Sequence, residues 1–337
     1  MIPKRLIISR TDSIGDVILT LPMAGIIKEK YPNCKIYFLG KTYTKSIIEL
    51  SQHVDEFLNW DEIQKKENPL AEFEKIEADT IVHVFPNKKV AELAKKAKIK
   101  NRIGTLGRIP HVFTCNKKVY FSRKKSNLHE AQLNLKLLSP IGITKAFESD
   151  ELHKYYGFQV KNKLPEKLKE LIDPNRFNLI LHPKSQGSAK EWGLKNFQEL
   201  ISILPQNQFK LFISGTETEK ELIGNDLDLN HPNVISLLGK LNLEEFISFI
   251  GSSDGLIAAS TGPLHIASSL GINAIGLYSS RRPIHPGRWK PLGLKAQAIV
   301  YSPKCEQCAK GEDCDCITKI SPQIIMDLLL KLNPKNK

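Results

Sequence analysis

Ser260-Thr261-Gly262-Pro263-Leu264-His265-Ile266-Ala267 follows the apolar run Leu256-Ile257-Ala258-Ala259 and opens a helix-like run that ends near Leu270-Gly271. A buried strand that gives way to small residues and then to a helix leaves backbone N–H groups pointing into open space. The helix dipole adds partial positive charge there, so the junction suits a phosphate. A second junction of this kind lies near the other end of the chain, at Ser9-Arg10-Thr11-Asp12-Ser13-Ile14-Gly15-Asp16. With one junction in each half, the pattern implies a two-domain α/β protein working across a cleft on a nucleotide-linked molecule.

Outward from these junctions, strand and helix signals alternate. In the first half, strands are expected at Arg5 to Ser9, Lys35 to Gly40, Asp55 to Leu58 and Thr80 to Phe85. Helices are expected from Val17 to Ile27, around Lys45 to Leu50, and from Val90 to Lys98. The polar stretch from Glu148 to Asp173, which carries Pro165 and ends in Asp173-Pro174, reads as a transition. The alternation then restarts. Strands are expected at Asn178 to His182, Phe209 to Gly215, Val234 to Leu238, Leu256 to Ala259 and Ala274 to Tyr278. Helices are expected at Leu194 to Leu204, Glu217 to Ile223, Leu243 to Ile250 and 262–270. The pattern predicts two doubly wound parallel sheets, a first domain over 1–160 and a second over 161–337. In such sheets ligands bind beyond the carboxyl ends of the strands, where both junctions fall.

The chain's 337 residues suffice for two domains, and 41% apolar with 25% charged residues is ordinary globular composition. It has no apolar run long enough for a membrane-spanning helix and no signal-peptide pattern, so a cytoplasmic protein is expected. The net charge of +13 is unevenly placed. Lys88, Lys89, Lys95, Lys96, Lys98, Lys100, Arg102, Arg108, Lys117, Lys118, Arg123, Lys124 and Lys125 crowd one segment in which Glu92 is the only acid. The plain reading is a solvated surface. The sharper one is a face for an anionic partner, with a membrane surface or phosphorylated glycolipid favoured over nucleic acid, since no nucleic-acid motif is present.

Several residues carry candidate chemistry. Asp16 at the start of the first helix is either a carboxylate stabilised by the dipole or a general base. Asp12 fits a turn or cap, and Arg10 fits a partner for either acid. The loop Lys184-Ser185-Gln186-Gly187-Ser188-Ala189-Lys190-Glu191-Trp192 is small, polar and basic, which suits phosphate contact through Ser185, Ser188 and Lys190. Its Trp192 reads as packing. Glu217 or Glu219 could accept from a ribose, although acids at a helix start need no ligand. His265 could donate to a phosphate oxygen or serve structure alone. Cys305, Cys308, Cys314 and Cys316 form C-x2-C-x5-C-x-C, a spacing that could hold a structural zinc or iron and is unsuited to disulfides in a reducing compartment.

Taken in order, these motifs resemble glycosyltransferase family nine, the ADP-heptose:lipopolysaccharide heptosyltransferases. The N-terminal match is Arg10-Thr11-Asp12-Ser13-Ile14-Gly15-Asp16-Val17-Ile18-Leu19-Thr20-Leu21-Pro22. Asn101-Arg102-Ile103-Gly104 and His129-Glu130 before Leu137-Leu138 add to it. The C-terminal matches are Lys190-Glu191-Trp192, Gly215 with its following glutamates, and Thr261-Gly262-Pro263-Leu264-His265-Ile266-Ala267. The resemblance implies a GT-B fold, two Rossmann-like domains facing a cleft, with acceptor on the N-terminal domain and nucleotide sugar on the C-terminal one. It implies an inverting, metal-independent glycosyltransferase moving a heptose from an ADP-linked donor to a lipopolysaccharide core or similar anionic glycolipid. It makes Asp16 the base and Lys190 a contact for donor phosphates. Thr261, Gly262 and His265 would hold the diphosphate, beside Ser185 and Ser260, and Glu217 or Glu219 the nucleoside. Arg10, Asp12, Ser13 and Gly15 would frame the acceptor. The family usually has aspartate where this chain has Ser260, which removes a charge beside the donor. The cysteine-rich tail, 305–316, looks like a feature of some members. No cofactor is implied for catalysis. The implied location is the cytoplasm, at the inner membrane face. The alternatives are a GT-B enzyme with another nucleotide sugar or a protein acceptor, and a non-catalytic binder of nucleotide sugars or glycans.

Overall fold

The computed structural model describes residues 2–160 and 163–333. Lys161, where the second domain is expected to begin, and Asn162 lie outside the described residues. The chain divides into two units, Met1–Gln159 and Val160–Lys337.

The first unit holds a six-stranded sheet of β1 (Arg5–Ser9), β2 (Lys35–Gly40), β3 (Glu56–Asn59), β4 (Thr80–His83), β5 (Asn101–Thr105) and β6 (Lys117–Val119), in the order β3-β2-β1-β4-β5-β6. Every pairing is parallel. The central strands are buried without alternation, since Leu6, Ile7 and Ile8 on β1 and Ile81 and Val82 on β4 are all fully covered. That is the signature of a parallel sheet with helices on both faces. Ile7, Leu39, Ile81, Trp60, Phe73 and Val90 pack one side of it.

The second unit repeats the plan. Its strands are β7 (Phe177–His182), β8 (Phe209–Ile213), β9 (Val234–Ser236), β10 (Gly255–Ala258), β11 (Asn273–Tyr278) and β12 (Ala296–Val300), all parallel, in the order β12-β11-β10-β7-β8-β9. The core includes Phe177, Leu179, Leu181, Phe197, Phe209 and Leu211, with Trp192 set edge-on to Phe197 and its Nε1 donating to the Ile320 carbonyl at 2.8 Å.

The strand order positions the sites. In each unit the chain lays its first three strands in one direction and its fourth on the other side of the first. The connections after β1 and β4, and after β7 and β10, therefore leave in opposite directions and open a crevice at the carboxyl edge. The Arg10 to Asp16 segment follows β1, and Thr261 follows β10.

One expectation needs correction, and several elements add to the pattern read from the sequence. The single helix expected from Val17 to Ile27 is two helices, Ile14–Ile18 and Pro22–Lys30. Pro22 has no N–H to continue the first and opens the second. The earlier start also places Gly15 and Asp16 inside the first turn. Strands β5, β6 and β12 and the helix Pro322–Leu332 were not expected. No helix among the described residues is long and apolar enough to cross a membrane.

Candidate active site

On the first unit, the chain leaves β1 directly into a chain of buried charges. Arg10 is only 4% exposed. Its guanidinium donates to Asp12 Oδ1 at 2.6 Å, to Asp16 Oδ1, and more loosely to Glu130 Oε1 at 3.5 Å. Burial opposes the charge on Arg10, but the three carboxylates outweigh it and hold its pKa above the ordinary value. Asp12 shows the opposite balance. Burial pushes its carboxyl up to about 6 against the pull of Arg10, with Asp16 adding repulsion. Ser13 Oγ donates to Asp16 Oδ2 at 2.5 Å, and Asp16 keeps a fifth of its side chain exposed. Tyr43 Oη donates to the Asp12 carbonyl at 2.6 Å, and Asn87 Nδ2, after β4, reaches Thr11 Oγ1 at 3.3 Å. The two sides of the crevice are thus tied together.

Glu130 is 1% exposed and is bridged by Arg123, which also donates to Asn134 Oδ1 at 3.1 Å. Asn134 in turn donates to the Leu19 carbonyl and to Thr20 Oγ1 at 3.2 Å, and Thr20 Oγ1 donates to the Asp16 carbonyl at 2.8 Å. Arg123, Glu130 and Asn134 therefore fix both the side-chain partner and the backbone of Asp16. Sequence reasoning did not place these three in the site. The one available signal was the His129-Glu130 pair, whose partner Arg10 is 120 residues away.

The segments that follow the strands meet the carboxyl edge of the second sheet. After β7, Gln186 (φ 49°) and Gly187 (φ 78°) are both left-handed, and Ser188 N donates to the Ser185 carbonyl at 3.0 Å. This is a tight turn of the kind that requires positive φ at both central residues. Holding a glutamine there costs about 1–2 kcal/mol. Gln186 Nε2 also reaches Thr216 Oγ1 at 3.2 Å, which joins the β7 and β8 loops. Glu191 secures the loop base by accepting from Ser185 N at 2.8 Å and from Lys184 Nζ at 2.6 Å. Ser185 is buried, and its hydroxyl donates inward, to the Ala189 carbonyl at 2.8 Å and Glu191 Oε1 at 3.1 Å. These contacts shape the loop. Lys190 Nζ pairs with Asp313, which Arg281, after β11, also approaches at 3.3 Å.

After β8, Thr216 and Glu219 form a reciprocal cap, with Thr216 N donating to Glu219 Oε2 at 2.7 Å and Glu219 N to Thr216 Oγ1 at 3.2 Å. Glu219 is buried by this role, whereas Glu217 is exposed and pairs with Lys220. His182, at the end of β7, is buried and held below its ordinary pKa by desolvation, with Nδ1 3.0 Å from Ser214 Oγ.

After β10, Thr261 heads the helix Gly262–Ser269 without capping it. It is 6% exposed, and its Oγ1 has no hydrogen-bond partner among the described residues. A buried hydroxyl in that state costs about 1–3 kcal/mol. Such a group calls for a partner the described residues do not supply, such as a water, an ion or a ligand oxygen. His265 lies one turn further, 2% exposed. Ser260 sits against the Tyr278 hydroxyl, which burial keeps neutral and which donates to the Trp289 carbonyl at 2.6 Å.

The cysteine tail returns to this edge. Sγ atoms of Cys305 and Cys314 are 3.4 Å apart and those of Cys308 and Cys316 3.6 Å apart, and all four lie within 4.8 Å of one another. Tetrahedral coordination with metal–sulfur bonds near 2.3 Å requires sulfurs about 3.8 Å apart, so the four thiols fit a zinc or iron ion. All four are free thiols, and the backbone of Cys308 pulls Cys305 down to about 7. Cys34 and Cys115 are buried elsewhere.

The family described as Glycosyltransferase family 9 (heptosyltransferase) matches residues 73–317. The lipopolysaccharide core heptosyltransferase OpsX of Haemophilus influenzae is 24% identical over 298 residues, 86% of this chain and 83% of its own. Among solved structures, Escherichia coli ADP-heptose lipopolysaccharide heptosyltransferase II superposes with a TM-score of 0.76 at 16% identity, over 99% of each chain. The dodecameric iron-containing heptosyltransferase TibC, solved with ADP-D-beta-D-heptose, gives a TM-score of 0.58 at 13% identity, over 98% of this chain and 76% of its own. The paired Rossmann-like sheets are those of the GT-B class, as expected from the sequence.

Proposed function

The chain belongs to glycosyltransferase family 9, the heptosyltransferases, and from that premise we propose that it moves a heptose from an ADP-linked donor to a lipopolysaccharide core or similar anionic glycolipid, with inversion. The observation that carries the reading is Thr261. A buried hydroxyl without a partner among the described residues stands at the head of a helix, at the strand-order switch of the second sheet. An anionic diphosphate supplies the acceptor oxygen that this hydroxyl and the neighbouring free N–H groups lack.

In this reading the second unit is the donor-binding domain and the first the acceptor-binding domain. Asp16, steered by Arg10 and Ser13, takes the proton from the acceptor hydroxyl as it attacks the anomeric carbon. Positive charge grows on the sugar and negative charge on the departing nucleotide. Thr261, the Gly262 N–H, His265 and Lys190 stabilise the latter without a catalytic metal. Lys190 and Arg281 are held on Asp313 until a diphosphate competes for them. Glu217, exposed beside the Gln186–Thr216 contact, is placed for the nucleoside, since Glu219 is engaged in its cap. Arg10, Asp12, Ser13 and Gly15 border the acceptor. Cys305, Cys308, Cys314 and Cys316 would hold a structural zinc or iron that fastens the tail. The work is placed at the inner face of the cytoplasmic membrane, where such acceptors are anchored.

The test is ADP release from ADP-heptose in the presence of lipopolysaccharide core acceptor, run beside UDP- and GDP-linked sugars. ADP-heptose should turn over fastest. Preference for another nucleotide sugar would reassign the donor, and Ser260 is where that change would be sought.

A further inference from the structure

Residues 88–125 carry thirteen basic residues against the single acid Glu92, so this segment alone supplies all but about one unit of the chain's +13. It also carries five of the exposed large apolar side chains of the described residues: Leu106, Ile109, Val112, Phe113 and Tyr120. Ile109 is 79% exposed, Phe113 73% and Tyr120 82%.

The short helix Ile109–Thr114 turns its amphipathic order inside out. Ile109, Val112 and Phe113, at i, i+3 and i+4, share the outward face, while His111 and Thr114 point inward. The orientation is fixed from within. His111 Nδ1 accepts from Thr105 N at 3.1 Å, and its ring lies 5.5 Å from that of His83. Gly104 lets the helix sit so close to β5 that a Cβ there would lie 2.7 Å from Cys115 Sγ and 2.8 Å from the His111 ring. Rotating the helix to bury its apolar face would break this seat. Cations accompany the outward face: Lys95 Nζ donates to the Phe113 carbonyl at 3.1 Å, Arg102 Nε to the Thr114 carbonyl at 2.7 Å, and Arg108, Lys117 and Lys118, which flank the helix in the chain, are exposed.

We propose that this face docks on an anionic lipid bilayer, with Ile109 and Phe113 entering the headgroup boundary and the surrounding lysines and arginines meeting lipid phosphates. Apolar side chains on one face within a cationic rim are the chemistry that such a surface selects. Nucleic acid would use the cations but leave the aliphatic Ile109 and Val112 without a partner. The segment follows β5, so it leaves the same carboxyl edge of the sheet as the Asp16 segment, two strands away in the order β1-β4-β5. Docking there would present a lipid-anchored acceptor beside Asp16. The inference rests on the glycolipid-acceptor reading above.

Flotation with phosphatidylethanolamine vesicles containing a quarter phosphatidylglycerol tests it, against pure phosphatidylcholine vesicles. The whole protein should float with the anionic vesicles only, and less so at high salt. Ile109→Glu/Phe113→Glu should lower partitioning by at least about tenfold while ADP binding and the melting midpoint stay at the wild-type values. Lys117→Ala/Lys118→Ala should weaken binding and flatten its salt dependence. Equal flotation of the double glutamate variant, no flotation of the wild type, or equally tight binding to a duplex oligonucleotide would overturn the proposal. Turnover of a deacylated, soluble acceptor separates the two readings. If it persists while flotation fails, docking is wrong and transfer stands. If flotation succeeds while no nucleotide sugar turns over, the face is real and the reaction was misassigned.

Discussion

Replacing Thr261 with valine should make the free protein more stable and its donor site weaker. The substitution keeps the β-branched shape, which suits the extended backbone at φ −127° and ψ 166°, and removes only the hydroxyl. No cap is lost, because Thr261 makes no capping hydrogen bond to its helix. In the free protein the hydroxyl is buried without a partner among the described residues. Removing it should therefore return about 1–3 kcal/mol, which in a unit of this size raises the melting midpoint by roughly 2–12 °C. In the proposed complex the same hydroxyl would donate to a charged oxygen, a bond worth about 1.5–3 kcal/mol. ADP should then bind roughly 10- to 150-fold more weakly. Scanning calorimetry without ligand and titration calorimetry with ADP read the two effects separately. A Thr261→Val protein that melts lower and binds ADP like the wild type would show the hydroxyl to be structural and refute the argument.

Two further predictions follow from the buried groups. Cys308→Ser/Cys316→Ser should be isolated with less than about a tenth of the wild-type zinc or iron and should melt earlier, yet still bind ADP; equal metal by elemental analysis would dismiss the four-thiol site. His83 is fully buried, both ring nitrogens lack partners among the described residues, and desolvation holds it down to about 3. The unfolded chain takes up a proton near pH 6.5 that the folded chain refuses, so stability is complete above that value and falls as pH drops toward 3. At 1.36 kcal/mol per pH unit, the loss approaches about 5 kcal/mol across the window. Urea unfolding at pH 7, 6 and 5 should show a shallower loss in His83→Leu than in the wild type, and parallel losses would count against the burial argument.

The sheet centres were legible because their strands are unbroken apolar runs. Leu6-Ile7-Ile8, Leu179-Ile180-Leu181 and Leu256-Ile257-Ala258 have no polar alternation to confuse them with a half-buried strand. The edges were not. Lys117-Lys118-Val119 is a three-residue edge strand dominated by lysine, and Ala296 to Val300 is only half-buried along its length. In Asn101 to Thr105 only Ile103 is strongly apolar, and the pairing with β4 supplies what the pattern lacks. Site legibility divides in the same way. Asp16 and Thr261 stand at local strand-to-helix junctions, and the four cysteines lie within twelve residues, so spacing reveals them. The Arg123–Glu130–Arg10 chain depends on contacts across more than a hundred residues, which no local pattern encodes. A serine in a basic loop reads as a phosphate donor, and only the structure adds that the Ser185 hydroxyl contacts Glu191.

The proposed transfer requires Asp16 to act as the base while the second unit holds the nucleotide. Turnover and ADP affinity of Asp16→Asn, measured on the same preparation, separate the two roles. The expected result is a fall in turnover of about 10²- to 10⁴-fold with ADP affinity within about twofold of wild type. Near-normal turnover would contradict it.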